Sequence, residues 1–252
     1  TDEKFDAITS DDLLTLDDWV KIAHEQKSEA ILSTFGRPLR DKHLALLPPS
    51  VRIIATTSVG YDHIDVAFAN SRGIVIANTP DVVTDATADI TLLLILGACR
   101  RAKENMQIMA DGWTRRNGYR EMLGWDVTGR TLAIVGMGRI GRAVAQRARG
   151  FNMPILYHNR TRLPPELEQG ATYFSSLDEM LPHAAVLSLN LPGSGAVLMT
   201  RDRFAALPKG AVFVEGQAAM VAESGAEVVF ESAFGAAVGE LSARHGDEDA
   251  LE

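Results

Sequence analysis

The sequence predicts an α/β fold of parallel sheets in two unequal blocks, and three observations carry that prediction. Short apolar runs alternate with stretches of helical periodicity, as expected of strand-helix-strand units whose crossovers make the strands parallel. One such run, 132–135, passes straight into Gly136-Met-Gly-Arg-Ile-Gly141. The next residues, 139–149, place Ile140, Val144 and Ala148 on one helical face, and a second apolar run follows at 153–157.

In chain order, the first block holds strands at 30–33, 51–57 and 73–77, alternating with helices at 16–26 and 64–71. A long helix is expected at 85–111, bridging the blocks. Its apolar run 90–99 is too short to span a bilayer and follows Asp85 and Asp89. After the strand-glycine-helix unit come helices at 176–181 and 201–207 and strands at 186–190 and 211–214. The expected domains are 1–90, apparently incomplete, 91–240 including the interdomain helix, and an acidic tail at 241–252.

The glycine spacing has a physical meaning. Gly136 permits the tight turn, Gly138 lets the backbone approach a pyrophosphate, and Gly141 allows helix to pack closely on strand. The anion then rests on the N-terminus of the helix starting near Arg139, where amides and the helix dipole favour negative charge. The context is that of a Rossmann-type dinucleotide-binding domain. An NAD-selective site normally places a carboxylate about 20 residues beyond the glycines, to accept from the ribose hydroxyls. Here that place reads His158-Asn-Arg-Thr-Arg162. Arg160 and Arg162 are suited to gripping a 2′-phosphate, with Asn159 and Thr161 as neutral donors, so NADP(H) is favoured and NAD(H) remains possible.

Composition narrows the class. The chain has 252 residues, 46% of them hydrophobic, and a formal net charge of -8. That charge argues against a nucleic-acid partner, which calls for a basic surface. Cys99 is the single cysteine, so neither an intrachain disulfide nor a cysteine metal cluster is expected, and a reducing cytoplasm is the simplest compartment. The acidic, polar N-terminus does not read as a signal peptide. The absence of an initiator Met at Thr1 suggests that some N-terminal sequence is not represented.

Four ordered stretches resemble one family. Ser58-Val-Gly-Tyr-Asp-His-Ile-Asp65, Asn78-Thr-Pro-Asp-Val-Val-Thr-Asp-Ala-Thr-Ala-Asp89, the glycine run, and Leu207-Pro-Lys-Gly-Ala-Val-Phe-Val214 are together similar to the D-isomer-specific 2-hydroxyacid dehydrogenases, closest to the glyoxylate and hydroxypyruvate reductase branch. The resemblance implies a smaller flavodoxin-like substrate domain beside the nucleotide domain. It implies an NADPH-using reductase of a small 2-keto acid, glyoxylate or hydroxypyruvate. Val59 and Gly60 match the loop whose amides face the substrate carboxylate, and Thr87 matches a residue near the nicotinamide. Arg139 and Ile140 match residues whose amides meet the pyrophosphate, and Leu191 and Pro192 match the wall beside the adenosine half. The family also implies a homodimer, embraced by an arm running through Trp113-Thr-Arg-Arg and Trp125.

Departures from the family leave the catalytic set empty. Where its members carry a substrate-orienting arginine, this chain reads Glu215-Gly-Gln-Ala-Ala219, with Ala218 at the arginine's place. No segment matches the family's acidic residue and proton-donating histidine. His183 reads as structural, and His245 lies in the acidic tail. The resemblance stops abruptly after Val214, which motivates the hypothesis of a truncated or frame-altered relative; a coding sequence with no shifted frame restoring the motif would count against it. Two function classes follow: an active NADPH-dependent keto-acid reductase, or a catalytically impaired or inactive dinucleotide-binding relative, either a decayed enzyme or a redox-sensing interaction module.

Overall fold

The structure is a computed structural model that describes residues 8, 14–34, 38–114, 118, 121–191 and 198–215, and the backbone of 237–240. The chain divides into two units, Thr1–Val82 and Val83–Glu252.

In the first unit, Thr15 and Asp18 exchange backbone amides across a capping box and start α1, Leu16–Glu25. Strands β1 (Ala30–Ser33), β2 (Ile53–Thr56) and β3 (Val75–Ala77) form a parallel sheet in that order. Between them lie α2 (Asp41–Leu46), which sequence reasoning missed, and α3 (Val66–Ser71). Helix α3 starts later than expected because the Asp65 carboxylate caps it, accepting from the Phe68 amide at 2.9 Å. Ile31, Ile54 and Ile76 stand in register across the sheet and pack with Ala23, Leu44 and Ala69 of the three helices. On the opposite face Leu32 and Val75 are 68% and 59% exposed.

The second unit opens with a correction. The single helix expected at 85–111 is two, α4 (Thr84–Cys99) and α5 (Ala102–Ala110), because Arg101 adopts the left-handed conformation at φ 53°. At the break the Trp125 amide takes the Cys99 carbonyl at 2.6 Å, and a Cβ on Gly124 would lie 2.8 Å from that oxygen. The docked segment thus donates to a carbonyl that a continuous helix would have bonded internally.

Six strands follow: β4 (Leu132–Val135), β5 (Ile155–His158), β6 (Thr172–Phe174), β7 (Val186–Leu189), β8 (Val212–Glu215) and β9 (Ala237–Glu240). Their order is β6-β5-β4-β7-β8-β9, with β9 antiparallel to β8 and the rest parallel. The first five strands reproduce the doubly wound Rossmann order, in which the chain runs out to one side of β4 and returns to the other. Strand β5 starts two residues later than expected because Pro154 has no N–H to give a ladder.

Both faces of this sheet are covered. Helix α6 (Arg139–Arg149) and α4 bring Val144, Ala145, Ala148, Ala88, Leu92 and Ile95 against Leu132, Ile134 and Tyr157. On the other face α8 (Leu177–Met180) and α9 (Arg201–Ala205) bring Leu177, Met180 and Phe204 against Ala133, Val135, Leu187 and Phe213. The one-turn helix α7 (Pro165–Glu168) precedes β6, and neither was foreseen. Among the described residues no helix is long and apolar enough to cross a membrane.

Candidate dinucleotide-binding site

In a doubly wound sheet, ligands bind beyond the carboxyl ends of the strands where the order reverses. Here that point lies between β4 and β7, and the glycine loop leaves β4 there. The three glycines do three different things. At Gly136 φ is 92°, and a Cβ would sit 2.5 Å from the Asn190 carbonyl oxygen just beyond β7. At Gly141 a Cβ would sit 2.3 Å from the Gly136 carbonyl oxygen, so α6 could not pack this closely on the turn. At Gly138 a Cβ would meet nothing within 4 Å. The first two positions are filled by protein; the third faces open space, which is what a pyrophosphate approaching the backbone requires. The first-turn amides of α6, where the intrahelical ladder has not yet begun, belong to Arg139 and Ile140.

Thr87 lies in the first turn of α4, half-buried, its amide bonded to the Val83 carbonyl at 2.8 Å and its carbonyl accepting from the Thr91 hydroxyl at 2.7 Å. Leu191 is half-buried against the core beside β7, with Cδ2 2.7 Å from where a Gly136 Cβ would be. Pro192 lies outside the described residues.

The loop after β5 is tied at both ends. Asn159 Oδ1 accepts from the Met137 amide at 2.7 Å, so this side chain holds the glycine loop itself. At the other end Arg162 makes a forked pair with Glu168, Nε to Oε1 at 2.7 Å and Nη2 to Oε2 at 3.1 Å. The buried Tyr157 hydroxyl donates to Glu168 Oε1 at 2.6 Å and accepts from the Leu163 amide at 3.1 Å. These bonds hold the Glu168 carboxyl down at about 2, the Arg162 guanidinium contributing most and the Tyr157 hydroxyl next. Burial, and then the bond to Glu168, pushes the Tyr157 phenol up. Between the two ties Arg160 and Thr161 are exposed, and neither makes a hydrogen bond or ion pair among the described residues.

In the first unit, the loop after β2 is held by its carbonyls. The Ser58 hydroxyl donates to the Gly60 carbonyl at 2.6 Å, Asn78 Nδ2 to the Val59 carbonyl at 2.8 Å, and the Thr79 amide to the Ser58 carbonyl at 3.2 Å. Thr56 Oγ1 lies 2.8 Å from Ser58 Oγ and 3.2 Å from His63 Nε2. Burial lowers the His63 pKa; Asp62 opposes the shift and Arg40 adds to it. Among the described residues the Val59 and Gly60 amides have no acceptor, so the loop presents two N–H groups with its carbonyls turned to internal partners.

Sequence reasoning missed the Asn159 contact to the glycine loop, the Glu168 and Tyr157 anchor, and the Thr56, Ser58 and His63 support. The spacing of Arg162 and Glu168, six residues apart across a prolyl turn, gives no periodic signal; only the fold brings them together. His183 lies in a 3-10 turn, Leu181–His183, with its ring 5.8 Å from that of Phe174. His245 and Ala218 lie outside the described residues. Among the described residues no group of His, Cys, Asp or Glu is placed to hold a metal.

Fold and loop geometry together define the second unit as a Rossmann-type dinucleotide-binding domain. Residues 92–224 match the family model of the D-isomer specific 2-hydroxyacid dehydrogenase NAD-binding domain, and the chain belongs to that family. It is 43% identical over 172 residues to a glyoxylate reductase of Thermococcus kodakarensis, covering 66% of this chain and 52% of the relative. It is 40% identical over 186 residues to 4-methyl-2-oxopentanoate reductase A of Aspergillus oryzae, covering 70% and 55%. The crystal structure of a glyoxylate reductase from Paecilomyes thermophila superposes with a TM-score of 0.74 at 37% identity, covering 81% of this chain and 65% of that one. The chain thus spans about half the length of the curated relatives it matches.

Proposed function

We propose that the chain binds NADPH in preference to NADH and reduces a small 2-keto acid, glyoxylate or hydroxypyruvate. The observation that carries the cofactor half is the state of the loop after β5. It offers a solvent-facing Arg160 and Thr161, and its nearby carboxylate, Glu168, is committed to Arg162 and Tyr157. Such a loop suits a 2′-phosphate, whereas bare ribose hydroxyls call for an available carboxylate. The substrate half rests on Val59 and Gly60, whose amides suit a carboxylate, and on the names of the relatives. When bound, NADPH would supply a hydride to the carbonyl carbon of the keto acid, with the carbonyl oxygen taking its proton from solvent. Gly138 and the first turn of α6 would hold the pyrophosphate, and the Val59-Gly60 loop would hold the acid's carboxylate.

A second reading, nucleotide binding without turnover, is favoured by one observation: Ala218 stands where the family has its substrate-orienting arginine, and a methyl group cannot bind both carboxylate and carbonyl. Following NADPH absorbance with hydroxypyruvate or glyoxylate, with NADH alongside, separates the two. Turnover with NADPH supports the reductase; its absence in a folded protein that still binds NADPH supports the second reading. We further propose a homodimer in a reducing cytoplasm. The single cysteine, Cys99, is buried and Trp113 is 64% exposed, while Trp125 lies against Gly210 and under Arg130 of its own chain. A monomeric mass in light scattering across a wide concentration range would exclude the dimer.

A further inference from the structure

Two arginines in the loop after β5 have the same chemistry and different surroundings. Arg160 is exposed with no partner among the described residues, whereas Arg162 is forked onto Glu168 and lies 5.7 Å from the Tyr173 ring. A forked guanidinium-carboxylate pair fixes orientation as well as position, and a carboxylate 10% exposed keeps more of that attraction than one in water. Beneath it, Tyr157 is fully buried and joins three elements through one hydroxyl: its own strand β5, Glu168 of α7, and the Leu163 amide of the loop. At the other end Asn159 ties the loop to Met137 between the first two glycines. Only Arg160 and Thr161 stand between the two anchors.

We infer that Glu168 is the positioning residue for cofactor selection: through Arg162 and Tyr157 it fixes the loop after β5, so that Arg160 and Thr161 are held in place to read a 2′-phosphate and Arg162 serves as a brace. The inference rests on the NADPH reading above and divides the work between the two arginines. Holding a reader in place before the ligand arrives removes an ordering cost that binding would otherwise have to meet. Arg162 cannot keep both forks on Glu168 and also present them to a phosphate.

The sign of one substitution separates brace from reader. In Glu168→Gln the carboxamide keeps the size of the side chain but loses the charge and one acceptor toward the arginine. If Glu168 positions the loop, the variant binds 2′,5′-ADP about tenfold more weakly than wild type while 5′-AMP binding stays within about twofold. If Arg162 is itself a phosphate reader restrained by Glu168, freeing it leaves 2′,5′-ADP binding unchanged or makes it tighter, and the inference is overturned. Equal losses for the two nucleotides would also overturn it, since that is what general damage to the domain produces. Tyr157→Phe, which removes the hydroxyl and keeps the ring, is the second variant should Glu168→Gln fail to fold, and the same selective loss is expected. Calorimetric titration of the whole chain reads all of these. A wild-type protein that binds 2′,5′-ADP no better than 5′-AMP would defeat the NADPH reading, and the brace with it. A wild-type preference that survives in both variants would defeat the brace alone.

Discussion

The first sheet is parallel, as are the first five strands of the second, and their strands are of similar length, yet the two sheets are buried differently. In the second unit β4, β7 and β8 are buried at every position, because helices cover both faces. In the first unit the strands alternate or lie open, with α1, α2 and α3 gathered on the Ile31, Ile54 and Ile76 face and Leu32 and Val75 on the other. Parallel sheets are ordinarily covered on both sides. The difference shows that strand character alone does not say how much a residue stabilises: the same apolar side chain is core in one sheet and surface in the other.

A matched pair gives the largest expected effect. Leu132→Ala removes a fully buried side chain from β4 and is expected to cost about 2–5 kcal/mol, while Leu32→Ala in β1 costs under about 0.5 kcal/mol. Urea unfolding followed by fluorescence checks both. Equal costs would mean that the open face of the first sheet is covered in solution.

Glycines sharpen the contrast between building and binding. Gly141→Ala forces a Cβ against the Gly136 carbonyl and is expected to destabilise the second unit by several kcal/mol, on the order of a severe core error. Gly138→Ala meets no protein atom, so the unfolding midpoint is expected to stay within error while dinucleotide affinity falls at least about tenfold. A Gly138→Ala protein that binds as well as wild type would remove the pyrophosphate from this loop.

Acid exposes the loop anchor. The folded Glu168 carboxyl titrates at about 2, below the ordinary carboxylate value of 4.5. Its contribution to stability is therefore complete above about pH 4.5 and is lost as pH falls toward 2. The stability gap between wild type and Glu168→Gln should be widest near neutrality and close across that window. A gap that does not change with pH would detach the anchor from the charge on Glu168. A small effect is expected at Arg147 of α6, which reaches Asp89 at 2.6 Å and Asp85 at 3.0 Å on α4. Both carboxylates are largely exposed, so Arg147→Ala should cost roughly 1 kcal/mol or less, and less again in high salt.

Much of this was legible from the chain itself. The run from Leu132 through Arg149 announces a strand, a turn and a helix because its apolar period changes from continuous to helical across three glycines, and each glycine has a steric reason visible in the structure. What escaped reading is short or non-local. Helix α7 is one turn that opens on the second of two prolines and β6 is three residues, too brief for periodicity to register. The break between α4 and α5 depends on Trp125, more than twenty residues downstream, arriving at the Cys99 carbonyl. The spacing singled out Arg160 and Arg162 as a pair of equals. Only the fold, by placing Glu168 under one of them, distinguishes their surroundings.

Calorimetric titration of the whole chain with NADPH and with NADH bears most directly on the proposed site. One saturable NADPH site, at least about tenfold tighter than NADH and weakened by Gly138→Ala, is the expected result. A folded protein that shows no saturable binding of either nucleotide up to concentrations on the order of 1 mM would contradict a cofactor site at the glycine loop.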